Sequence, residues 1–436
     1  MSFFPIIALL VTTFAQSSVE LSIEDAVRQA LQHSPRIRAA YEESRGSMID
    51  AERRKPIGRP DVTAQAVGTL QGPRVTFPRG ATGDATVFPE EFGRVELTVE
   101  QALFRAGYGE AKGLYNTQRS AADLQFQIAV GSVVYDVRKA FFQLLGAKKM
   151  LEVTSESTAQ ARAQVELIKQ MLKSGTASER DLLAADADLA EAEQNVGKAE
   201  NGIANAEANL LRLMGSQTRD HLIISEKYPN PALPAEWESL STVAEKDHPQ
   251  ILLLKKQIES SQFGGKLAAL QDRPTISARA TAAAQTQTAF TDSHYFAGSL
   301  VFTWKPFDKW KTRLDVEQAR SQSARLESLM EDAKSGIRLG VEKAWRDSKD
   351  ALGRRELSER QVKSAAEALR VSRLRYEVGM ATELEVSGAL FALHRAESNR
   401  AQADLDILLA SNELNFAVTG FVQKSVPGPL TIGRVK

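Results

Sequence analysis

The residue types that most often carry enzyme chemistry are sparse in this chain and form no recognisable catalytic site. The 436 residues include no cysteine, which excludes disulfides, thiolate metal sites and cysteine nucleophiles. Gly107-Tyr108-Gly109 is too short a glycine signal for a phosphate-binding loop, and a bend between two elements is the better interpretation. The histidines lack the spacing of metal ligands; they are His33, His221, His248, His294 and His394. We therefore predict a protein that is not an enzyme and needs no cofactor or metal.

Two acidic residues near predicted helix N-termini are the best candidates for charged functional residues. Asp181 and Glu385 occupy matching positions in two similar segments of the chain. Ser178 and Thr382 precede them by three residues, which is the spacing of a capping box at a helix N-terminus. The spacing by itself indicates a helix-capping role, and a capping residue can also have a functional role.

Composition and charge narrow the class of protein. The chain has 55 basic and 55 acidic residues, so its net charge gives no long-range attraction to nucleic acid. Residues 1–15 form an apolar run of signal-peptide length, which predicts a cleaved secretory signal; an N-terminal hydrophobic helix is the alternative. Since no other long apolar run occurs, membrane entry would require a β-barrel.

The chain is interpreted as an internal duplication. Segments around Pro35 and Pro60 recur around Pro249 and Pro274 at one constant offset, and later segments recur at a slightly smaller offset. The difference predicts one longer loop in the first half, at residues 71–91. The predicted organisation is a signal peptide at 1–15, a first repeat at 21–215, an equatorial linker at 216–236, a second repeat at 237–420 and a tail at 421–436.

Each half contains two segments that alternate apolar and polar residues with the period of a β-strand. Val95, Leu97 and Val99, for example, alternate with Glu96 and Thr98. Segments of about ten residues with this pattern suit strands between lipid and a wet lumen, although a sheet on a soluble core fits the same period. Four strands cannot close around a lumen, whereas three chains would supply twelve.

Two proline-free stretches, near residues 106–173 and 309–377, predict unusually long helices. Roughly 68 residues at 1.5 Å each would span about 100 Å, which indicates a coiled coil or helical cylinder. The segments that follow repeat apolar residues every seven positions, from Leu182 and from Val386, with small residues three places later. A soluble antiparallel coiled coil would explain these helices but neither the strands nor the signal peptide.

Together these features resemble the TolC-like outer-membrane efflux protein family. The matching segments are Leu21–Val27 with Ser34-Pro35, the tip motif Tyr376–Val386, and Val418-Thr419-Gly420. The resemblance implies a mainly α-helical trimer that combines a tunnel in the periplasm with a shared 12-stranded β-barrel in the outer membrane. It further implies a periplasmic adaptor protein and an inner-membrane pump or transporter as partners, with outer-membrane lipid around the barrel.

The resemblance also implies roles for individual residues. Asp181 and Glu385 would form acidic rings at the periplasmic constriction and favour cations. Tyr376 would act as a latch, unless it simply packs within the hairpin. Gly175 and Gly379 are expected to adopt the left-handed backbone of a helix C-terminus, and the family places adaptor docking at these hairpin tips.

The sequence also contains two candidate membrane-interface aromatic residues and two departures from the family pattern. Tyr295 and Trp304 are candidates for an aromatic girdle at the membrane interface, with burial against an equatorial segment as the alternative. Gly388 and Ala381 stand where the family can carry a second acid and a basic latch. The closed state is therefore expected to be held differently here.

The predicted function is an outer-membrane channel-tunnel of a tripartite efflux pump or type I secretion system. It would conduct small molecules, ions or polypeptides from the adaptor and pump to the exterior. An exported soluble coiled-coil scaffold is the main alternative and would not require detergent. A periplasmic adaptor is a weaker alternative, because adaptors carry one helical hairpin whereas this chain has two.

Overall fold

The computed structural model describes residues 20–53, 60–78, 84–216, 222–225, 236–307 and 309–421. The predicted signal peptide lies outside these residues, as do most of the linker and almost all of the tail. The helices of the described chain are α1 (Ile23–His33), α2 (Pro35–Arg53), α3 (Tyr108–Lys173), α4 (Glu179–Met214), α5 (Trp237–Asp247), α6 (Pro249–Ala268), α7 (Lys309–Glu377) and α8 (Glu383–Thr419). The strands are β1 (Asp61–Leu70), β2 (Val75–Pro78), β3 (Asp84–Phe88), β4 (Glu91–Arg105), β5 (Thr275–Gln285) and β6 (His294–Thr303).

The helix boundaries follow local sequence signals. The Ser22 hydroxyl accepts a hydrogen bond from the Asp25 amide and starts α1, and Pro35 opens α2, where its missing N–H costs nothing. The long helices α3 and α7 contain 66 and 69 residues, close to the predicted bounds. Within the described residues, none of the helices has both the length and the apolar character to cross a membrane.

The chain divides into two compact units. The first, called the hairpin unit, comprises the described parts of Met1–Tyr41, Gln127–Pro249 and Gly336–Lys436. The second, called the sheet unit, comprises those of Glu42–Phe126 and Gln250–Ser335.

The sheet unit contains a four-stranded antiparallel sheet in the order β1-β4-β5-β6. Ala64 pairs with Leu97, Leu97 with Ala282, and Ala282 with Phe296, so these side chains share one face across all four strands. This is the apolar face that the alternation predicted. Nothing in the described chain covers it, since Phe296 is 78% exposed and Leu300 is 75% exposed.

The sheet unit also contains a short hairpin that the sequence analysis had predicted as part of a loop. Within residues 71–91, β2 and β3 pair antiparallel, and the Thr86 carbonyl accepts a hydrogen bond of 2.7 Å from the Ala289 amide. The longer connection predicted for the first half is present, since β1 ends at Leu70 and β4 begins at Glu91 whereas β5 ends at Gln285 and β6 begins at His294. The hairpin within it was missed because the surrounding glycines and prolines concealed two short runs of strand-forming residues, Val75-Thr76-Phe77 and Ala85–Phe88.

The hairpin unit has a buried core where α3, α4, α7 and α8 pack together. Ile168, Ala185, Leu369 and Val386 contribute one side chain each from these four helices. The predicted heptad positions are buried or half-buried except for Arg400, which interrupts the stripe and is exposed. The heptad prediction is confirmed in this respect.

Candidate functional site

The two helical hairpins of the hairpin unit end in closely similar turns. Gly175 has φ 78° and Gly379 has φ 74°, so both adopt the predicted left-handed backbone. In the first turn the Thr176 amide donates a 2.9 Å hydrogen bond to the Met171 carbonyl, and the second turn repeats this bond at 2.7 Å. These bonds satisfy helix-terminal carbonyls and hold α4 and α8 at fixed starting points.

Asp181 forms the complete capping box that its spacing predicted. Its carboxylate accepts hydrogen bonds of 3.0 Å from the Ser178 amide and 2.7 Å from the Ser178 hydroxyl, and that hydroxyl accepts one from the Asp181 amide. The bonds from the Ser178 side chain and backbone lower the pKa of Asp181. Asp181 therefore carries a firm negative charge at the start of α4.

Glu385 forms only half of the capping box that was predicted for it. The Thr382 hydroxyl accepts from the Glu385 amide at 3.4 Å and donates to the Glu385 carboxylate at 3.4 Å. The reciprocal bond from the Thr382 amide is not formed, since the N-cap of α8 has the side-chain bond alone. The Glu385 side chain is exposed.

Tyr376 is buried in the hairpin core rather than displayed at the surface of the chain. It packs in the same cluster as Val386 and Leu390, and only 7% of it is exposed. Burial raises the pKa of its phenol, with further contributions from the charges of Asp181 and Glu383. Its hydroxyl finds no hydrogen-bond partner in the described chain.

Glu383, which was not among the predicted site residues, is the most unusual residue of the tip. It is 5% exposed, and neither carboxylate oxygen receives a hydrogen bond from a described residue. Burial first, and then the charges of Asp188 and Asp181, raise the pKa of Glu383 from 4.5 to about 7, while the Gln164 amide opposes the shift. The carboxyl group therefore titrates near neutral pH.

The environment of Glu383 is built by all four helices of the hairpin core. Gln164 of α3 is buried with its amide nitrogen unpaired, and Tyr376 of α7 contributes the unpaired hydroxyl. From α4, Asp188 accepts a short hydrogen bond from the hydroxyl of Ser387 in α8. Unpaired donors and acceptors that are buried between several helices cost free energy. A change in the protonation of such a group therefore alters the stability of the helix packing.

The heptad spacing in the sequence could have indicated that Glu383 is buried. Glu383 precedes Leu390 by one heptad, and both residues are buried although neither belongs to the predicted stripe that contains Val386. Each of these helices contacts more than one neighbour, so a second stripe is buried. Glu179 holds the matching position at the start of α4 and is exposed. The acid at this position is therefore buried at the second hairpin tip and exposed at the first.

The sheet unit places its two candidate aromatic residues differently. Tyr295 lies on the polar face with Arg94 and Glu96, and its hydroxyl accepts a short hydrogen bond from the Arg94 guanidinium. Trp304 follows the end of β6 and is more than half exposed. Across the same polar face, Arg279 forms an ion pair of 2.8 Å with Glu100.

The part of the chain that the structure describes contains no group of three or more histidine, cysteine or acidic side chains placed to hold a metal ion.

Comparison with known proteins identifies the family. The sequence profile described as "Outer membrane efflux protein" matches residues 26–216 and again residues 240–420, which together cover most of the chain. The chain belongs to the outer membrane efflux protein family. No curated protein matches it by sequence. The two matched ranges run close to the two repeats that were predicted at 21–215 and 237–420.

Several solved structures have a similar fold. CusC, described with conformational changes that accompany folding and transmembrane channel formation, aligns with TM-score 0.77 at 15% identity, covering 92% of this chain and 93% of CusC. VceC of Vibrio cholerae aligns with TM-score 0.74 at 18% identity, covering 92% and 97%. The open state of the MtrE channel of Neisseria gonorrhoeae aligns with TM-score 0.72 at 17% identity, covering 91% and 89%. At these identities the likeness shows a shared fold.

For this outer membrane efflux protein, the predicted family and the mainly helical fold with a sheet are confirmed. The roles of the tip residues and of the aromatic residues stay predictions.

Proposed function

We propose that three copies of this chain form a continuous duct through the outer membrane, with a helical tunnel in the periplasm. The duct serves a tripartite efflux pump or a type I secretion system, receiving cargo from an adaptor protein and an inner-membrane transporter. The exported coiled-coil scaffold is the alternative, and the sheet argues against it because a soluble protein would leave this apolar surface in water.

The observation that carries the proposal is the four-stranded sheet with an uncovered apolar face and two open edges. Val62 and Val95 on this face are each 59% exposed, as expected for side chains that contact lipid. The outer edges of β1 and β6 have no partner strand in the described chain. Pairing β6 of one copy with β1 of the next removes these edges, and three copies supply the twelve strands of a barrel.

The two faces of the sheet fit the two sides of such a barrel. The polar face, with Arg94, Glu96 and Tyr295, is proposed to line the lumen, where its ion pairs stay hydrated. Tyr295 is therefore not retained as an interface residue. Trp304 stays in the proposal as a membrane-interface aromatic, since it is exposed directly after the last strand.

The hairpin tips are proposed to form the periplasmic constriction and the docking site for the adaptor. Asp181 and Glu385 would then form two rings of negative charge that favour cations. Around the turns at Gly175 and Gly379, exposed apolar side chains offer a surface for a helical partner; they are Leu183, Val378, Met380 and Leu384. Tyr376 and Glu383 support the tip from within the core.

Ion selectivity in a planar lipid bilayer tests the constriction. The double variant Asp181→Ala with Glu385→Ala should reduce the cation-to-anion permeability ratio by about twofold or more, because it removes six charges from a narrow mouth. Glu317→Ala, which changes an exposed acid of α7 outside the tip, is the control and should keep the wild-type ratio. If the double variant leaves both selectivity and conductance unchanged, the constriction lies elsewhere.

A further inference from the structure

The sheet unit contains a basic pocket that the duct does not explain. The pocket has a volume of about 590 Å³ and lies where β4 ends, α3 begins, β5 begins and β6 ends. Four cationic side chains line it: Arg53, Arg105, Arg273 and Lys305. None of its described lining residues is acidic, so the pocket concentrates positive charge in a chain whose net charge is zero.

The cations of the pocket are available to a ligand. Among the described residues, Arg105, Arg273 and Lys305 take part in no ion pair, and Arg53 has only an exposed contact of 3.8 Å with Asp50. Unpaired guanidinium groups that converge on one cavity suit a phosphate group, because the planar fork donates two parallel hydrogen bonds to it.

The start of α3 adds backbone donors to the same pocket. Gly107, with φ 88°, turns the chain so tightly against Leu267 and Leu270 that a Cβ would lie 3.0 and 3.1 Å from their side chains. The first intrahelical bond of α3 runs from the Ala111 amide to the Gly107 carbonyl, which leaves the three preceding amides without a helical partner. This end of a 66-residue helix favours an anion.

We propose that this pocket is a binding site for the phosphate of an anionic phospholipid. Its walls combine the cations with Leu114, Leu267 and Leu270, so it suits a charged headgroup attached to apolar chains better than a free ion. The exposed apolar side chains of Leu103 and Phe104 continue from the pocket along β4. The choice of a lipid rests on the proposed membrane insertion of the sheet, whereas the phosphate chemistry does not.

Lipid binding to the purified full-length chain tests the site. The probes are phosphatidylglycerol, diacylglycerol with the same acyl chains, and inorganic phosphate, each titrated while tryptophan fluorescence follows the melting midpoint. The test variant combines Arg105→Gln, Arg273→Gln and Lys305→Gln. The control combines Lys311→Gln, Arg313→Gln and Arg320→Gln, which removes the same charges from exposed positions of α7.

The wild type and the control should be stabilised by phosphatidylglycerol and not by diacylglycerol. The test variant should bind phosphatidylglycerol at least about tenfold more weakly, while its melting midpoint without lipid stays close to that of the control. Equal binding by test and control variants overturns the site. Inorganic phosphate that protects as well as the lipid overturns the choice of a lipid.

The same preparations separate this inference from the proposed function. A chain that stays soluble and monodisperse without detergent contradicts the duct, and the phosphate titration still tests the pocket. If the chain needs detergent but the test and control variants bind lipid equally, the proposed duct stands and the proposed lipid site is contradicted.

Discussion

The two units of this chain differ in whether one copy can bury its own apolar surface. The hairpin unit packs four helices around a core in which Ile168 and Val386 are fully buried. The sheet unit leaves one apolar face and two strand edges uncovered, with Phe296 and Leu300 mostly exposed. The hairpin unit therefore forms a buried core within one chain, whereas the proposed duct would cover the apolar face and the edges of the sheet with lipid and further copies.

The largest effect is expected from a charge in the hairpin core. Val386→Asp should lower the free energy of unfolding by about 3–5 kcal/mol, because it removes a buried side chain and introduces an unpaired carboxylate. Leu384→Asp, two residues earlier and 79% exposed, is the control and should change stability by less than about 0.5 kcal/mol. Denaturant unfolding in detergent measures both. Similar losses in the two variants would contradict a self-sufficient core.

The corresponding change in the sheet unit should act on membrane insertion. Leu300→Arg on the apolar face should cost about 2–4 kcal/mol for insertion if the residue lies near the bilayer centre, while the fold outside the sheet stays intact. Ser299→Arg points to the polar face and should be tolerated. The fraction of protein recovered in lipid vesicles after reconstitution reports this difference. Equal recovery of both variants would indicate that the apolar face does not contact lipid.

A pH-dependent effect is expected at the second hairpin tip. The raised pKa of Glu383 means that the packed tip retains a proton that the released side chain loses, so packing is most stable below about pH 4.5 and weakens as pH rises to about 7. The change should amount to about 2 kcal/mol after allowance for partial solvation. Hydrogen exchange of the amides around residue 383, measured at pH 5 and pH 8 and corrected for intrinsic rates, reports it.

The matched tips supply the control for this experiment. Glu383→Gln stays neutral and should keep the tip protected at both pH values, whereas Glu179→Gln, at the exposed matching position, should behave like the wild type. A wild-type tip whose corrected protection is the same at pH 5 and pH 8 would show that Glu383 does not retain a proton on packing.

The smallest effect is expected from the helix caps. Asp181→Asn should destabilise the start of α4 by about 1 kcal/mol, because the charged acceptor of two bonds from Ser178 is lost. Glu385→Gln should cost less, since its cap contacts with Thr382 are 3.4 Å long. Hydrogen exchange of the first turns of α4 and α8 compares them, and a larger loss at Glu385 would contradict the geometry.

The sequence predicted those features that local periodicity and capping chemistry determine. The bounds of α3 and α7, the alternating faces of the sheet and the left-handed Gly175 and Gly379 all follow from such local signals. The hairpin at 71–91 was missed because its strands are short and flanked by turn residues.

Tertiary packing explains the rest of what the sequence could not predict. Glu383 and Glu179 have the same type and the same place relative to a cap, yet the tertiary structure buries Glu383 and leaves Glu179 exposed. The capping positions at Asp181 and Glu385 likewise share one spacing, and only the structure shows that the first box is complete and the second is not. Local pattern was sufficient for the family and the fold, and insufficient for the chemistry of the tip.

Single-particle imaging of the detergent-extracted chain tests the central claim most directly, because the claim concerns what covers the sheet. We expect a three-fold particle in which β6 of each copy pairs with β1 of the next, giving twelve strands with the apolar face outward in the detergent belt. A monomeric or two-fold particle, or a sheet whose apolar face is covered by protein in a detergent-free preparation, would contradict the account.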